Sequence, residues 1–219
     1  ARWNNAANGE ISPGEFIPVA EDSGQIERVS DFVVASALKF VKRAATLGYD
    51  SFTVSVNISA RQLREEGFVP SIIRLVTAEG VDTSRVALEI TESLMIEGME
   101  SAVEKLQSLR DAGFKLSLDD FGKGFSSLSY LKLLPIDFIK MDKLFIDDIV
   151  SEGKTRILAQ HIITLSHQLG LKVVAEGVEA KEQLDYLRLH GCDIIQGYYY
   201  SKPGSEDAAL GQLELSFEQ

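Results

Sequence analysis

Two aspartates in succession, Asp119-Asp120, close a segment in which Phe114, Leu116 and Leu118 alternate with Lys115 and Ser117. The alternation reads as a strand, so a strand runs directly into two carboxylates. Neighbouring ionised carboxylates repel, and holding them together calls for a metal ion or for strong hydrogen-bond donors. A metal site is the chemistry this stretch points to, with an exposed acidic turn as the plainer alternative. After the pair, Gly122 and Gly124 permit a loop of unusual backbone shape. Ser126 is placed to cap a helix carrying Leu128, Leu131 and Leu134.

The elements that would position this pair alternate along the whole chain. Ser12-Pro13-Gly14-Glu15 combines a capping serine, proline at the first helical position and glutamate three after the cap, which starts a short helix. Gly24 separates it from a longer helix with Ile26, Val29, Val33, Ala37, Phe40 and Ala44 on one face, ended by Gly48. Residues 52–58 alternate as a strand, and Ser59 caps the next segment. Further strands are expected at 86–90, 114–118, 136–140, 171–175 and 193–196. Helices are expected around Ile72–Ala78, through Ala102, Leu106 and Leu109 up to Gly113, from Leu128 to Leu133, and from Ala180 to His190. Lys154–Gly170 is a further helix, with Leu158, Ile162, Leu165 and Leu169 on one face, and a last one comes after Pro203.

Six strands alternating with helices predict an α/β fold with a parallel sheet. In the closed (β/α)8 form, functional groups sit at the C-terminal ends of the strands. Polar residues stand at all six ends: Asn57, Glu89, Asp119 with Asp120, Lys140, Glu176 and Gln196. An open doubly wound sheet would gather them at one crevice, so the barrel is favoured. A modified TIM barrel is expected, its first one or two strands preceding Ala1. The chain opens on Ala1-Arg2-Trp3 without methionine and is read as one domain, residues 1–219, cut from a longer protein.

Composition narrows the partners. A net charge of −11 argues against a long nucleic acid or an anionic membrane surface, which want a basic footprint. A small anionic ligand stays open if divalent ions bridge it to the acids. With a single Cys and no apolar run near membrane-span length, a soluble protein in a reducing, cytoplasmic compartment is expected. Phosphoryl chemistry with paired metal ions needs hard oxygen ligands from separate elements, and Asn57, Glu89, Asp119, Asp120 and Glu176 supply that set. Lys140 is suited to orient a water or to offset charge on phosphate oxygens, although a buried lysine paired with core acids would look the same. An enolising barrel enzyme with Lys140 as base beside Mg²⁺ is a different reading of the same residues. Phe121-Gly122-Lys123-Gly124 lacks nucleotide P-loop spacing. Asn57-Ile58-Ser59 is discounted as a glycosylation acceptor, and His161, His167 and His190 lack zinc-ligand spacing. Cys192 reads as a small buried hydrophobe.

The ordered segments Val56-Asn57-Ile58-Ser59, Leu88-Glu89-Ile90-Thr91-Glu92-Ser93, Asp119-Asp120-Phe121-Gly122, Lys140-Met141-Asp142, Ala175-Glu176-Gly177-Val178-Glu179 and Gln196-Gly197-Tyr198 resemble the EAL-domain cyclic di-GMP phosphodiesterases. The resemblance runs from Arg2 to Pro203. It implies a modified barrel that hydrolyses cyclic di-GMP to linear pGpG with two Mg²⁺ or Mn²⁺ ions. Asn57, Glu89 and Asp119 would hold one ion, and Asp119, Asp120 and Glu176 the second. Glu176 would also be the general base, Lys140 would fix the attacking water, and Glu92 would tether the loop after the Asp pair. Arg2 would grip a substrate phosphate and Gln196 would line the same pocket. The resemblance further implies a homodimer and an upstream sensor or GGDEF-type domain, in the cytoplasm or on the cytoplasmic side of a membrane-anchored protein. A receptor that binds cyclic di-GMP without cleaving it is the alternative within the family. Two departures stand out. The signature Glu-Ala-Leu, with one metal ligand, would end just before Ala1, so residues 1–219 alone are expected to turn over weakly. The family loop Gly-Thr-Gly-Tyr is replaced by Gly122-Lys123-Gly124-Phe125, a change expected to alter loop switching.

Overall fold

A computed structural model describes residues 3–5, 9–92, 99–123, 131–151 and 153–217. The predicted helix from Leu128, with Ser126 as its cap, lies mostly outside them, as does Arg2. The elements in chain order are β1 (Trp3–Asn5), β2 (Gly9–Ile11), α1 (Pro13–Asp22), α2 (Ile26–Thr46), β3 (Val54–Ile58), α3 (Ala60–Arg64), α4 (Phe68–Ala78), β4 (Val86–Thr91) and α5 (Met99–Asp111). They continue with β5 (Lys115–Phe121), β6 (Phe138–Met141), α6 (Lys154–Gln168), β7 (Lys172–Glu176), α7 (Lys181–Leu189), β8 (Ile194–Gln196) and α8 (Glu206–Phe217).

Six parallel strands pair strictly with their sequence neighbours, in the order β3-β4-β5-β6-β7-β8, and the sheet curls into a half-barrel. The period of two decides which residues face the helices. Val56, Ile58, Leu88, Ile90, Leu116, Leu118, Ile139, Met141, Val173 and Ala175 are buried, and most of them pack with Leu38, Val41, Ile72 and Leu106 or with Ile163 and Leu187 from the surrounding helices. Asn57, Glu89, Ser117, Asp119, Lys140 and Glu176 fall on the other phase of the same strands, which gives them one common face. Parallel register sets Asn57 beside Glu89, Glu89 beside Ser117, and Glu176 beside Gln196.

Helix starts obey the capping chemistry. The Ser12 amide donates to Glu15 Oε2 at 3.1 Å. Ser59 and Gln62 exchange hydrogen bonds at 3.1 and 3.2 Å, so α3 opens immediately after the strand that carries Asn57.

The structure departs from expectation in three places. The antiparallel pair β1-β2 is not anticipated by the sequence pattern, because Asn4, Asn5, Asn8 and Gly9 carry no hydrophobic alternation. In α2 the buried row is Ile26, Ser30, Val34, Leu38, Val41 and Ala44, one residue on from the expected face at most positions. In α6 the buried row is Ala159, Ile163 and Ser166, whereas Leu158 and Leu169 are exposed. Both helices carry adjacent apolar pairs, Val33-Val34 and Ile162-Ile163, so either phase satisfies a 3.6-residue period. The sheet selects the phase that packs.

Leu88 is fully buried between β3 and β5 and helix side chains. Leu88→Ala is expected to cost about 2–5 kcal/mol of stability, read as a lower urea midpoint with an unchanged slope.

Candidate metal and phosphodiester site

Lys140 is the centre of the common face. It is 4% exposed, and its ammonium lies 2.8 Å from Glu89 Oε2, 3.1 Å from Asp119 Oδ1 and 2.7 Å from Glu176 Oε1. Three strands besides its own, β4, β5 and β7, therefore place a carboxylate on one cation. Burial alone would push the Lys140 pKa down, yet the surrounding carboxylates, Glu89 and Asp119 foremost, more than reverse this and hold it well above the ordinary lysine value. Burial raises the Glu176 carboxyl above the ordinary glutamate range, against the opposing pull of Lys140.

The Asp pair is shaped by the backbone. In a regular strand, adjacent side chains leave on opposite faces. The β5–β6 register shifts between Leu118 and Phe121, and Asp120 takes a left-handed φ of 57°, so alternation is broken at the two acids. Such a conformation at a non-glycine residue is costly and clusters at functional sites. The Asp120 amide donates to Asp119 Oδ1 at 2.9 Å, and Lys123 Nζ lies 2.6 Å from Asp120 Oδ1. Gly122 comes next with φ 97°, and a Cβ there would clash with the edge of the Phe145 ring. Its amide donates to Glu92 Oε2 at 3.1 Å, which joins the ends of β4 and β5. Glu92 is buried.

The other expected residues take varied places. Asn57 is exposed on the inner face, one strand from Glu89. Gln196 is exposed at the end of β8, and its carbonyl accepts from the Val178 amide. His167 pairs with Asp193 at 2.8 Å, away from the acids of the rim. Cys192 is partly buried, and burial pushes its thiol up to about 11.

Two participants escape the sequence reading. Asp142, marked there only as part of a motif, is buried, accepts from the Leu144 amide at 2.9 Å and lies 2.8 Å from Lys123. Its position one residue beyond β6, before a short 3-10 turn at Lys143–Phe145, is the available signal. Ser117, beside Glu89, has a buried hydroxyl without a hydrogen-bond partner among the described residues. Its place on the polar phase of β5, two residues before Asp119, marks it in the sequence.

Among the described residues no three His, Cys, Asp or Glu side chains are arranged around a point open to a metal ion, because the carboxylates close on Lys140 instead. The donor set nevertheless fits a hard divalent cation: it is all oxygen, and four carboxyls, Glu89, Asp119, Asp120 and Glu176, face only two ammoniums.

The sequence matches the EAL domain over residues 1–203. The chain belongs to the EAL domain family. This EAL domain is 40% identical over 203 residues to the oxygen sensor protein DosP of Escherichia coli, covering 93% of this chain and 25% of that protein. It is 37% identical over 202 residues to the cyclic di-GMP phosphodiesterase NbdA of Pseudomonas aeruginosa, covering 92% and 26%. Among solved structures, the EAL enzyme Bd1971 in its cAMP- and cyclic-di-GMP-bound form superimposes with a TM-score of 0.91 at 34% identity, over 97% of this chain and 58% of that one. The cyclic di-GMP complex of the Pseudomonas aeruginosa MucR phosphodiesterase gives 0.90 at 33%, over 95% and 84%. These relationships bear out the barrel-like fold and the resemblance carried by the motifs. The EAL domain spans about a quarter of the length of these two curated relatives.

Lys140→Met leaves three carboxyls around a neutral side chain. The folded state then holds their protons more tightly than the unfolded state, so stability falls as pH rises above the ordinary glutamate value of 4.5. Urea midpoints of the metal-free variant are expected to drop more steeply than wild type between about pH 5 and pH 8. In wild type the Lys140 contribution is complete below 10.5 and is lost only as pH climbs beyond that value.

Proposed function

We propose that this EAL domain is a metal-dependent phosphodiesterase that hydrolyses cyclic di-GMP to linear pGpG. The observation that carries the reading is the convergence of Glu89, Asp119 and Glu176 on one buried lysine. The names of NbdA and of the MucR complex support the substrate class. Asn57, Glu89 and Asp119 would hold one ion and Asp119, Asp120 and Glu176 the other, with Mg²⁺ or Mn²⁺ suited to oxygen donors. Bound there, the ions would polarise the phosphodiester and offset charge growing on its oxygens.

The chain's own residues supply the rest. Glu176 takes a proton from the attacking water, and its raised pKa makes it a stronger base than an exposed carboxylate. The water oxygen bonds to phosphorus as one ring P–O bond breaks, and the departing sugar oxygen ends protonated. Lys140 holds Glu176 in place and is near enough to orient the water. Glu92 fixes the turn at Gly122. Arg2 and Gln196 are proposed to contact the substrate. Residues 1–219 are proposed to act as one domain of a larger cytoplasmic signalling protein, with an upstream sensor or GGDEF-type module and a dimeric assembly.

Incubating the full-length protein with cyclic di-GMP and Mg²⁺ should yield pGpG by chromatography. EDTA should abolish turnover and excess Mn²⁺ restore it. Glu176→Gln should lower turnover by about 10²–10⁴-fold with binding retained. Tight binding without product in wild type would make the domain a cyclic di-GMP receptor, and neither binding nor product would overturn both readings.

A further inference from the structure

Among the described residues after the Asp pair, Lys123 carries a charge that the proposed reaction leaves unused. Its ammonium bridges Asp120 Oδ1 at 2.6 Å and Asp142 Oδ2 at 2.8 Å. The two partners differ in freedom. Asp142 is buried, and its other oxygen accepts the Leu144 amide at 2.9 Å, so it is a fixed anchor. Asp120 is about a third exposed and sits on the left-handed turn after β5. The Lys123 amide closes that turn by donating to the Asp120 carbonyl at 3.1 Å.

We infer that Lys123 is a built-in competitor for the second divalent ion, a tethered cation that holds Asp120 until a metal displaces it and then remains on Asp142 alone. The inference rests on the two-ion reading above. An ammonium within hydrogen-bond distance of Asp120 occupies the oxygen a metal would use and repels a dication placed beside it. Displacement does not strand the ammonium, because Asp142 stays in reach. The second ion therefore binds, but more weakly than the three carboxyls of Asp119, Asp120 and Glu176 would otherwise allow. Occupancy of the site then depends on divalent concentration over a range that Lys123 sets.

Mn²⁺ binding, tracked by the electron paramagnetic resonance signal of the free aqua ion, tests this without any turnover. Wild type, Lys123→Gln and Lys123→Arg are titrated, with melting curves establishing that each is folded. The weaker of two Mn²⁺ sites is expected to tighten by about fivefold in Lys123→Gln, the scale of one partly exposed ion pair. Lys123→Arg, which keeps the charge, should remain near wild type, and the Lys123→Gln gain should shrink at high salt through screening. Two Mn²⁺ sites with no tightening in Lys123→Gln, or equal tightening in Lys123→Arg, overturn this inference alone. Failure of wild type and both variants to bind a second ion overturns the two-ion reading and this inference with it.

Discussion

The structure depends on one buried ammonium. Placing Lys140 in the interior is costly unless its charge is met, and meeting it requires carboxylates from β4, β5 and β7 at once. That requirement fixes the phase of each strand, since a slip by one residue would turn Glu89, Asp119 or Glu176 toward the helices and strand the charge. The apolar phase on the opposite face makes the same demand. Leu88, Leu116, Ile139 and Val173 are fully buried only in the register that points the acids inward. Core packing and site assembly are thus two sides of the same constraint.

A lysine ringed by acids also poises the rim. The three carboxylates are gathered at one point by the lysine itself, so a divalent ion would meet ligands already in place but would have to displace the ammonium to reach them. Glu92 extends this order to the turn after the Asp pair, through the hydrogen bond it accepts from the Gly122 amide. The bulge at Asp119-Asp120 then releases two neighbouring side chains from strict alternation.

Much of this is legible in the sequence. Strand positions, and the polar residues closing them, come from period-two alternation, because buried strands leave little choice of phase. Among the described residues, the existence of the longer helices is read equally well. Helix facing is not: adjacent apolar pairs such as Ile162-Ile163 leave the rotation about the axis to tertiary packing. The antiparallel pair β1-β2 escapes because each strand is three residues long with a single large apolar residue, Trp3 or Ile11, too little for an alternation to show. The acids are found as a set, but the convergence of three of them on Lys140 rather than around an open centre is not. That outcome depends on distances across strands far apart in sequence. The partnership of Lys123 with Asp142 is hidden for the same reason, since only the curl of the sheet brings residues after β5 and β6 together.

The strict neighbour-to-neighbour order of the sheet has a consequence for how the chain acquires its shape. Each parallel strand from β4 to β8 docks on the one synthesised just before it, the kind of neighbouring β–α–β connection that is right-handed as a rule. None of β4 to β8 must wait for a distant segment to be inserted between it and its predecessor. The sheet can therefore lengthen one β–α unit at a time as the polypeptide leaves the ribosome, each finished edge serving as template for the next. Lys140 emerges after Glu89 and Asp119, so its charge meets two waiting carboxylates. Glu176 is added last, and the residue proposed as the base becomes usable only when most of the sheet already exists.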